Sequence, residues 1–280
     1  MRHASVPCLI CGFCFSVSII GAGRMGRGLN LTLQEAGVEA RLLDRTYGPE
    51  DTLRAALVLI AVPDDAIGRV AADLARGQAV AERHVVLHLS GLLDRNALRP
   101  LAGTGAALGS FHPLQSIADP STAGARLRGA FAGLEGDDRA LDAGEWLAGA
   151  LGMHPVRLAP GAKAAYHAGA VIASNYVVVL ASVAEGLALK AGVPPAEARA
   201  LYLPLMQGTV ANLALGPASA LTGPVRRGDA ATVRRHLAAR APGDRALYRA
   251  LGLVALSLAR VAGLGEAPAA GVERALTDEG

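Results

Sequence analysis

Lysine is almost absent from this 280-residue chain, which contains it only at Lys163 and Lys190. Arginine supplies nearly all of the positive charge, and the net charge is a small +3. Aromatic residues make up only 4% of the chain, and no basic stripe interleaves with them. These shortages exclude the usual composition of a nucleic-acid-binding surface, so we expect no nucleic-acid partner.

Charged residues are scarce as well, at 18% of the chain, whereas hydrophobic residues reach 52%. This balance excludes a disordered chain and predicts extensive burial. With 280 residues, the chain is long for one core and comfortable for two domains.

Cysteine occurs only three times, at Cys8, Cys11 and Cys14, before the first predicted strand. The spacing leaves a metal or cluster site open, but no fourth ligand is evident. We favour an N-terminal extension over residues 1–14 and expect no metal. The apolar run over 6–20 resembles a signal peptide only superficially, because its second half is needed as a strand and no small-residue cleavage site separates the halves.

The chain is organised around residues 15–44, which predict a strand, a glycine turn, a helix and a second strand. In the G-x-G-x-x-G turn, Gly21 permits the tight bend, Gly23 admits a pyrophosphate close to the backbone, and Gly26 lets helix and strand pack. The N–H groups that begin the helix face the phosphates. The complete pattern predicts a dinucleotide site formed by Gly21, Ala22, Gly23, Arg24, Met25 and Gly26.

Further apolar strands alternate with helices as far as residue 158. The predicted strands cover 55–62, 84–89, 106–111, 131–135 and 154–158, with helices over 66–79 and 138–151. We predict that Asp64 or Asp65 caps the first of these helices. The alternation predicts an α/β fold with a doubly wound, mainly parallel sheet.

The pattern changes near residue 160, beyond which only helices are predicted. They cover 162–191, 196–215, 230–240 and 244–262, and we expect the last ten residues to fray. We therefore predict a Rossmann-like dinucleotide-binding domain over 15–160 and an all-α substrate and dimerisation domain over 161–280. The most apolar stretch, 168–189, contains Ser174, Asn175 and Glu185, so we predict no membrane span and a cytoplasmic protein.

Residues at the ends of the predicted strands are candidates for the site, because ligands of open α/β sheets bind beyond the carboxyl ends of strands. Val62, Pro63, Ser90 and His112 all occupy such positions. Ser90 either contacts the cofactor or substrate, or only caps a helix that begins near Leu92. His112 either donates a proton or is a purely structural turn histidine.

Four polar side chains interrupt the apolar helix predicted after residue 162. At 100° per residue, Lys163, His167 and Ser174 share one face, and Asn175 lies at its edge. Such groups are costly to bury without partners. They form either a catalytic and substrate-binding set or an interdomain hydrogen-bond network without catalysis.

Arg227 precedes the third helix of the second half, in a loop rich in glycine and proline. A guanidinium group in such a loop can hold a substrate carboxylate through two parallel hydrogen bonds. We therefore predict that Arg227 binds substrate, whereas Asp229 is more simply explained as a helix N-cap.

Seven motifs occur in order and together resemble a known family. They are Gly-Ala-Gly-Arg-Met-Gly, Ala-Val-Pro-Asp-Asp, Leu-Ser-Gly, Phe-His-Pro-Leu-Gln-Ser, Lys-Ala-Ala-Tyr-His, Ala-Ser-Asn-Tyr and Leu-Thr-Gly-Pro-Val-Arg-Arg-Gly-Asp. Over roughly residues 16–265 the chain resembles Rossmann-like oxidoreductases whose C-terminal helical domain is of unknown function. The wider relatives are the 6-phosphogluconate dehydrogenase-like enzymes, including pyrroline-5-carboxylate, ketopantoate and β-hydroxyacid reductases.

This resemblance implies a nicotinamide cofactor and a homodimer formed through the helical domain. In the wider relatives, a lysine and an asparagine from the first C-terminal helix meet the substrate, and Lys163 and Asn175 are the matching positions. The His-Pro-Leu sequence is also similar to the His-Pro-Met of prephenate dehydrogenases, which would put His112 near the reacting group.

The residues after the second predicted strand give a mixed signal on the cofactor. Asp44 is placed to accept hydrogen bonds from a ribose 2′-hydroxyl, which favours NAD, and its charge should repel a 2′-phosphate. Arg45 and Thr46 are the residue types that hold that phosphate in NADP enzymes. We expect NADP or NAD, with a slight preference for NADP that rests on the resemblance.

We predict a two-domain oxidoreductase that transfers hydride between NAD(P) and a small carbonyl, hydroxy acid or imine in the interdomain cleft. Lys163 or His112 would protonate the alkoxide or amine, Asn175 and Ser90 would orient it, and His167 would tune Lys163. Two alternatives remain: a dehydrogenase of a prephenate- or arogenate-like acid, and a protein that binds NAD(P) without turnover.

Overall fold

The structure is a computed structural model that describes residues 16–44, 46–239 and 242–278. The three cysteines, Phe15 and Arg45 lie outside the described residues, and so do the predictions made for them. The chain divides into two compact units between Asn175 and Tyr176. The domain boundary at residue 160 remains a prediction from the sequence.

The first unit is built on a seven-stranded sheet with the order β2-β1-β3-β4-β5-β6-β7. All neighbouring strands are parallel except β5 and β6, which pair antiparallel. The strands are β1 Val17–Ile20, β2 Ala40–Leu43, β3 Leu57–Ile60, β4 Val85–His88, β5 Ala107–Pro113, β6 Phe131–Gly136 and β7 His154–Arg157. The predicted α/β fold class is confirmed.

Helices cover both faces of this sheet, which explains why its central strands are continuous apolar runs. One face packs against α1 and α5 through side chains such as Leu29 and Leu147. The other packs against α3 and a 3₁₀ helix through Ile67 and Leu98. The elements are α1 Arg24–Glu35, α2 Pro49–Leu53, α3 Asp64–Arg76, the 3₁₀ helix Arg95–Thr104, α4 Ala123–Leu127, α5 Asp138–Ala150 and α6 Lys163–Ala173.

Two helix starts differ from the predictions. Pro63, rather than Asp64 or Asp65, occupies the N-cap of α3. The side chain of Asp64 instead accepts a hydrogen bond from Ser90. No helix begins near Leu92. The chain there makes a short turn, and Asp94 caps the 3₁₀ helix that follows.

The described residues of the second unit form only helices and one 3₁₀ turn. They are α7 Asn175–Lys190, whose first residue still belongs to the first unit, α8 Pro195–Leu201, α9 Leu203–Asn212, the 3₁₀ turn Leu213–Leu215, α10 Pro217–Ala220, α11 Gly223–Arg226, α12 Ala230–Ala238, α13 Pro242–Val261 and α14 Glu266–Thr277. The core of this unit contains Val225, Val233, Leu256 and Val272. The expected fraying of the last ten residues is wrong as far as Thr277, because Val272 and Leu276 of α14 are buried.

Two long predicted helices are divided in the structure. Ser174 leaves helical geometry, with φ −121° and ψ −70°, and separates α6 from α7. Tyr202 separates α8 from α9, and Pro204 lies in the first turn of α9, where a missing N–H costs little. Helical periodicity alone could not place these breaks.

Many apolar side chains of the second unit are exposed to solvent, including Val178 at 69%, Leu205 at 67% and Leu215 at 70%. The stretch Lys163–Lys190 has a window of mean hydropathy 1.7 and is therefore long and apolar enough to cross a membrane by length and composition alone. The prediction of no membrane span rests on Ser174, Asn175 and Glu185 as polar interruptions. These residues do not lower the mean hydropathy of the helix below the value typical of a membrane-spanning segment. Helices of soluble proteins also pass this test, so the finding is weak evidence for a membrane span.

Candidate active site

The glycine turn after β1 has the geometry that a dinucleotide needs. Gly21 has φ +117°, and a Cβ there would overlap the carbonyl of Ala61, so only glycine fits. A Cβ at Gly26 would overlap the carbonyl oxygen of Gly21. Arg27, which sequence analysis missed, braces the turn because its Nε donates to the carbonyl of Ala22 at 2.7 Å.

Gly23 leaves space for a ligand beside this turn. No atom lies within 4 Å of the position that a Cβ would take at Gly23. Gly23 is also the N-cap of α1 and supplies no side-chain cap, so the first N–H groups of this 12-residue helix lack a side-chain acceptor. These donors and the helix dipole suit a phosphate. The predicted residues Ala22, Arg24 and Met25 all lie in this turn and the first helical turn.

Asp44 and Thr46 follow β2 and bind each other. One carboxylate oxygen, Asp44 Oδ1, accepts from the Thr46 backbone N–H at 2.8 Å and from its hydroxyl at 2.6 Å. The hydrogen bond from the Thr46 side chain, together with that from its backbone, lowers the pKa of Asp44. The exposed carboxylate is therefore charged at neutral pH, and the Thr46 hydroxyl is engaged with it.

The ends of β3 and β4 meet through Ser90. Its hydroxyl donates to Asp64 Oδ2 at 2.8 Å and accepts from the N–H groups of Leu92 and Leu93 at 3.1 and 2.9 Å. These three bonds use the donor and both acceptor positions of the hydroxyl within the turn. Val62 follows β3, and its Cγ1 lies 3.1 Å from the position of a Cβ on Gly21.

Lys163 begins α6 and is 2% exposed. Its Nζ donates to the carbonyl of Ser90 at 2.7 Å and to Ser110 Oγ at 3.0 Å, and so joins the turn after β4 to the middle of β5. Burial lowers the pKa of Lys163 to about 8, against the attraction of Glu135 and Asp64. The ammonium retains one N–H that these two bonds do not use.

His88, at the end of β4, is a buried titratable group that sequence analysis did not single out. Its Nδ1 accepts from the Ser90 N–H at 3.2 Å, and its Nε2 lies 3.0 Å from the carbonyl of Asp94, to which it donates. These partners fix the neutral Nε2–H tautomer. Burial lowers the pKa of His88 to about 4.

Three rings meet where β5 approaches α6. His112 Nδ1 lies 3.0 Å from the hydroxyl of Tyr166, with the rings edge-on at 88°. The ring of His167 lies 5.9 Å from that of His112. Both imidazoles sit against Gly91, where a Cβ would come within 2.8 Å of His112 Nε2 and would overlap His167. Burial, followed by the charge of Lys163, lowers the pKa of His112 to about 4.

A cavity of about 650 Å³ opens beside these rings. His112, Tyr166 and His167 contribute to its wall, and Ser174 and Asn175 line it where α6 ends. The structure thus brings His112, His167, Ser174 and Asn175 to one cavity, while Lys163 and Ser90 are joined by their own hydrogen bond.

Arg227 belongs to the second unit, where it is exposed beside a shallow depression that also includes Thr222 and Arg226. Arg226 donates to the carbonyl of Ala262 at 2.8 Å and so fixes this loop. The predicted cap at Asp229 is confirmed, because its Oδ1 accepts from the Thr232 N–H at 3.0 Å.

Two of the residues that sequence analysis missed, Tyr166 and Ser110, have partners that are distant in sequence. Tyr166 meets His112, and Ser110 meets Lys163, across 54 and 53 positions respectively. Gly91 and Gly133 carry no turn motif, yet each has an aromatic ring against its α-carbon. The motif Lys-Ala-Ala-Tyr-His did contain Tyr166, and its spacing of three from Lys163 places both near one helix face.

Two family models match the chain. A Rossmann-like domain matches residues 38–113, and a domain of unknown function, DUF2520, matches residues 130–254. The two matches follow each other along the chain. The resemblance to Rossmann-like oxidoreductases with a C-terminal helical domain is thereby confirmed. No curated protein sequence is significantly similar to the chain.

Several solved structures share the fold. Protein TM1727 from Thermotoga maritima is 25% identical, with 88% of this chain and 98% of that chain covered and a TM-score of 0.69. An imine reductase variant from Myxococcus stipitatus, in complex with NAD+, is 16% identical over 89% and 95% of the chains, with a TM-score of 0.59. Pyrroline carboxylate reductase from Plasmodium falciparum, with NADP bound, is 12% identical over 94% and 98%, with a TM-score of 0.57.

Proposed function

We propose that the protein is an NAD(P)-dependent oxidoreductase that transfers hydride to or from a small carbonyl, hydroxy acid or imine. The observation that carries the proposal is the position of two features at one edge of the parallel sheet. The glycine turn follows β1, and the His112, Lys163 and Ser90 group lies where β4 and β5 end. Ligands of such sheets bind at this edge.

The chain's own residues suit the cofactor. The open space at Gly23 and the N–H groups of α1 would hold the pyrophosphate, and Asp44 would lie near the adenosine ribose. Val62 and Pro63 would flank the nicotinamide. The similar reductases include complexes with NAD+ and with NADP, and we keep a slight preference for NADP.

For the proton, the geometry favours His112 over Lys163. In this proposal a bound dihydronicotinamide supplies the hydride. His112 lines the cavity, and its Nε2 has no hydrogen-bond partner among the described residues, so it is available to the substrate. Lys163 instead links the turn after β4 to the middle of β5 and sets the positive field around them. Asn175 and Ser174 would orient the substrate, and His167 would pack against His112.

The exposed apolar helices of the second unit support the homodimer. Apolar side chains such as Val178, Leu205 and Leu215 are more exposed than is usual on the surface of a soluble monomer. A second copy of the same helices would cover them. Such an interface would also account for the apolar stretch Lys163–Lys190 without a membrane, and the protein would be cytoplasmic.

Arg227 belongs to the helical unit, and there its guanidinium group would bind a carboxylate of the substrate.

The first test is a titration of the purified protein with NADPH and with NADH, followed by nicotinamide fluorescence. We expect saturable binding of at least one, and its loss in Gly23→Asp, which adds a carboxylate in the open phosphate space. Gly149→Asp is the control, because no atom lies within 4 Å of its Cβ position either and this residue is exposed on α5. Binding of neither nucleotide at high micromolar concentration would refute the proposal.

A screen of small carbonyls, imines and hydroxy acids with the bound cofactor then tests turnover. His112→Gln should remove most of the activity while cofactor affinity stays unchanged. Binding without turnover of any substrate class would instead favour a non-catalytic protein, an alternative consistent with the full engagement of the Ser90 hydroxyl inside its own turn.

A further inference from the structure

Tyr166 holds a position that the oxidoreductase proposal does not use. It lies one turn after the start of α6, its hydroxyl is 3.0 Å from His112 Nδ1, and its ring lines the cavity. Its ring also rests on Gly133 of β6, which pairs with His112 in the sheet. A Cβ at Gly133 would lie 2.7 Å from both the hydroxyl oxygen and Cζ of Tyr166. The sheet therefore fixes the phenol relative to the imidazole from two sides.

The direction of the hydrogen bond follows from what surrounds the phenol oxygen. Burial raises the pKa of Tyr166, against a hydrogen bond with the Gly133 backbone, so the phenol keeps its proton at neutral pH. Among the described residues, His112 Nδ1 is the side-chain acceptor that lies within hydrogen-bond distance of the phenol oxygen, so the phenol O–H is directed to it. A neutral imidazole that accepts at Nδ1 carries its own proton at Nε2.

We propose that Tyr166 is the positioning residue and proton reservoir of His112. It fixes the Nε2–H tautomer and replaces the proton that His112 gives to the substrate. This inference rests on the proposed reductase function.

The proposed transfer is balanced. As hydride reaches the substrate carbon, the N–H bond at His112 Nε2 breaks and a bond forms to the substrate oxygen or nitrogen. The Tyr166 O–H proton moves to Nδ1, so the imidazole stays neutral throughout. The resulting phenolate recovers a proton from water in the open cavity, which the Tyr166 ring lines.

A relay of this kind is needed because the imidazolium form of His112 is disfavoured. Burial, the charge of Lys163 and the neighbouring His167 all oppose a positive charge on His112, and only Asp64 favours it. At neutral pH the ring therefore has one proton to give, and it becomes an imidazolate unless Nδ1 receives another at the same time.

Nuclear magnetic resonance of ring-¹⁵N-labelled histidine tests the tautomer without substrate or cofactor. His112→Gln identifies the His112 signals by their loss. In the wild-type protein at neutral pH, we expect Nδ1 as an acceptor and Nε2 as the protonated nitrogen. In Tyr166→Phe, which keeps the ring and its packing on Gly133, we expect a mixture of tautomers and a higher pKa for His112.

Tyr202→Phe, which removes a tyrosine hydroxyl in the helical unit, is the matched control and should leave the His112 signals unchanged. Gly133→Ala is a second variant, because it displaces the Tyr166 ring and should also release the tautomer. An Nδ1–H tautomer in the wild-type protein would overturn the proposal, as would a Tyr166→Phe spectrum with His112 unchanged.

Kinetics separates positioning from structure once a substrate is identified. General acid catalysis contributes roughly 10²–10⁴-fold, so Tyr166→Phe should lower kcat by about tenfold or more with little change in KM. An unchanged kcat would refute the relay. A wild-type protein that binds neither nucleotide would instead refute the oxidoreductase proposal, whereas an active enzyme with His112 in the Nδ1–H form would refute the relay alone.

Discussion

The two ends of the candidate site are built in different ways. The glycine turn is shaped by backbone sterics, since Gly21 and Gly26 leave no room for a Cβ. The group at the ends of β4 and β5 is shaped by side-chain hydrogen bonds among His88, Ser90 and Lys163. Steric fit at the glycine turn is independent of pH. The hydrogen bonds among His88, Ser90 and Lys163, in contrast, involve an imidazole or an ammonium group that can gain or lose a proton.

This difference predicts two kinds of failure. A substitution at Gly21 or Gly26 should destabilise the fold equally at every pH, because it introduces overlap between atoms. A substitution or a pH change at the polar group should act through unsatisfied donors and acceptors, which cost free energy in proportion to their burial.

The largest effect is expected for Gly21→Ala. The new Cβ would overlap the Ala61 carbonyl, and alanine does not readily adopt φ +117°. We expect a loss of about 3 kcal/mol or more in the free energy of unfolding, measured by urea denaturation. Gly23→Ala is the matched control: its Cβ would enter open space, so stability should be kept while nucleotide affinity falls. Equal destabilisation by both would contradict the steric account.

The second effect is a pH dependence of stability from His88. Its pKa is lowered from 6.5 in the unfolded chain to about 4 in the folded protein, so the unfolded chain binds the proton more readily. The stabilisation is complete above pH 6.5 and is lost as pH falls toward 4. The loss should reach about 3 kcal/mol, and His112, lowered to about 4 as well, adds to it in the same window.

Denaturation midpoints measured across this pH range provide the check. His88→Gln should be less stable at neutral pH and should show a flatter pH dependence than the wild-type protein. His154→Gln, at an exposed histidine, should leave the pH dependence unchanged. A wild-type stability that is constant from pH 7 to about pH 4 would contradict the buried neutral state of these imidazoles.

The contrast also explains what could be predicted from the sequence. The glycine turn depends only on residues that are adjacent in sequence, so its function could be predicted from them. The strands of the sheet could be predicted for the same reason, because each is a short apolar run. The contacts of Ser90 and Tyr166 depend on which strands become neighbours, and no local pattern contains that information. Helix α14 was not predicted because its second half lies in the last ten residues, where fraying is expected of any chain. Its buried residues include Val272 and Leu276.

A smaller effect is expected when the link between β4 and β5 is removed. Lys163→Met deletes two buried hydrogen bonds, leaving the Ser90 carbonyl and the Ser110 hydroxyl without this donor, and relieves a buried charge. We expect a net loss of about 2 kcal/mol in the free energy of unfolding. Lys190→Met is the control, because its pair with Asp244 is largely exposed and should contribute about 0.5 kcal/mol or less. Equal effects at both lysines would contradict the bridging role of Lys163.

The smallest effect is expected on the cofactor preference, which we attribute to the charge of Asp44 near the glycine turn. Asp44→Asn keeps an oxygen that can accept from the N–H and hydroxyl of Thr46 but removes the charge that repels a 2′-phosphate. We expect the ratio of NADPH to NADH affinity to rise roughly tenfold, measured by fluorescence titration at low ionic strength, where charge is least screened. Asp119→Asn is the matched control, because Asp119 is an exposed carboxylate that accepts from the Ser121 N–H in the same kind of turn. If the ratio is unchanged in Asp44→Asn, the carboxylate does not face the ribose, and the cofactor preference must arise from other residues.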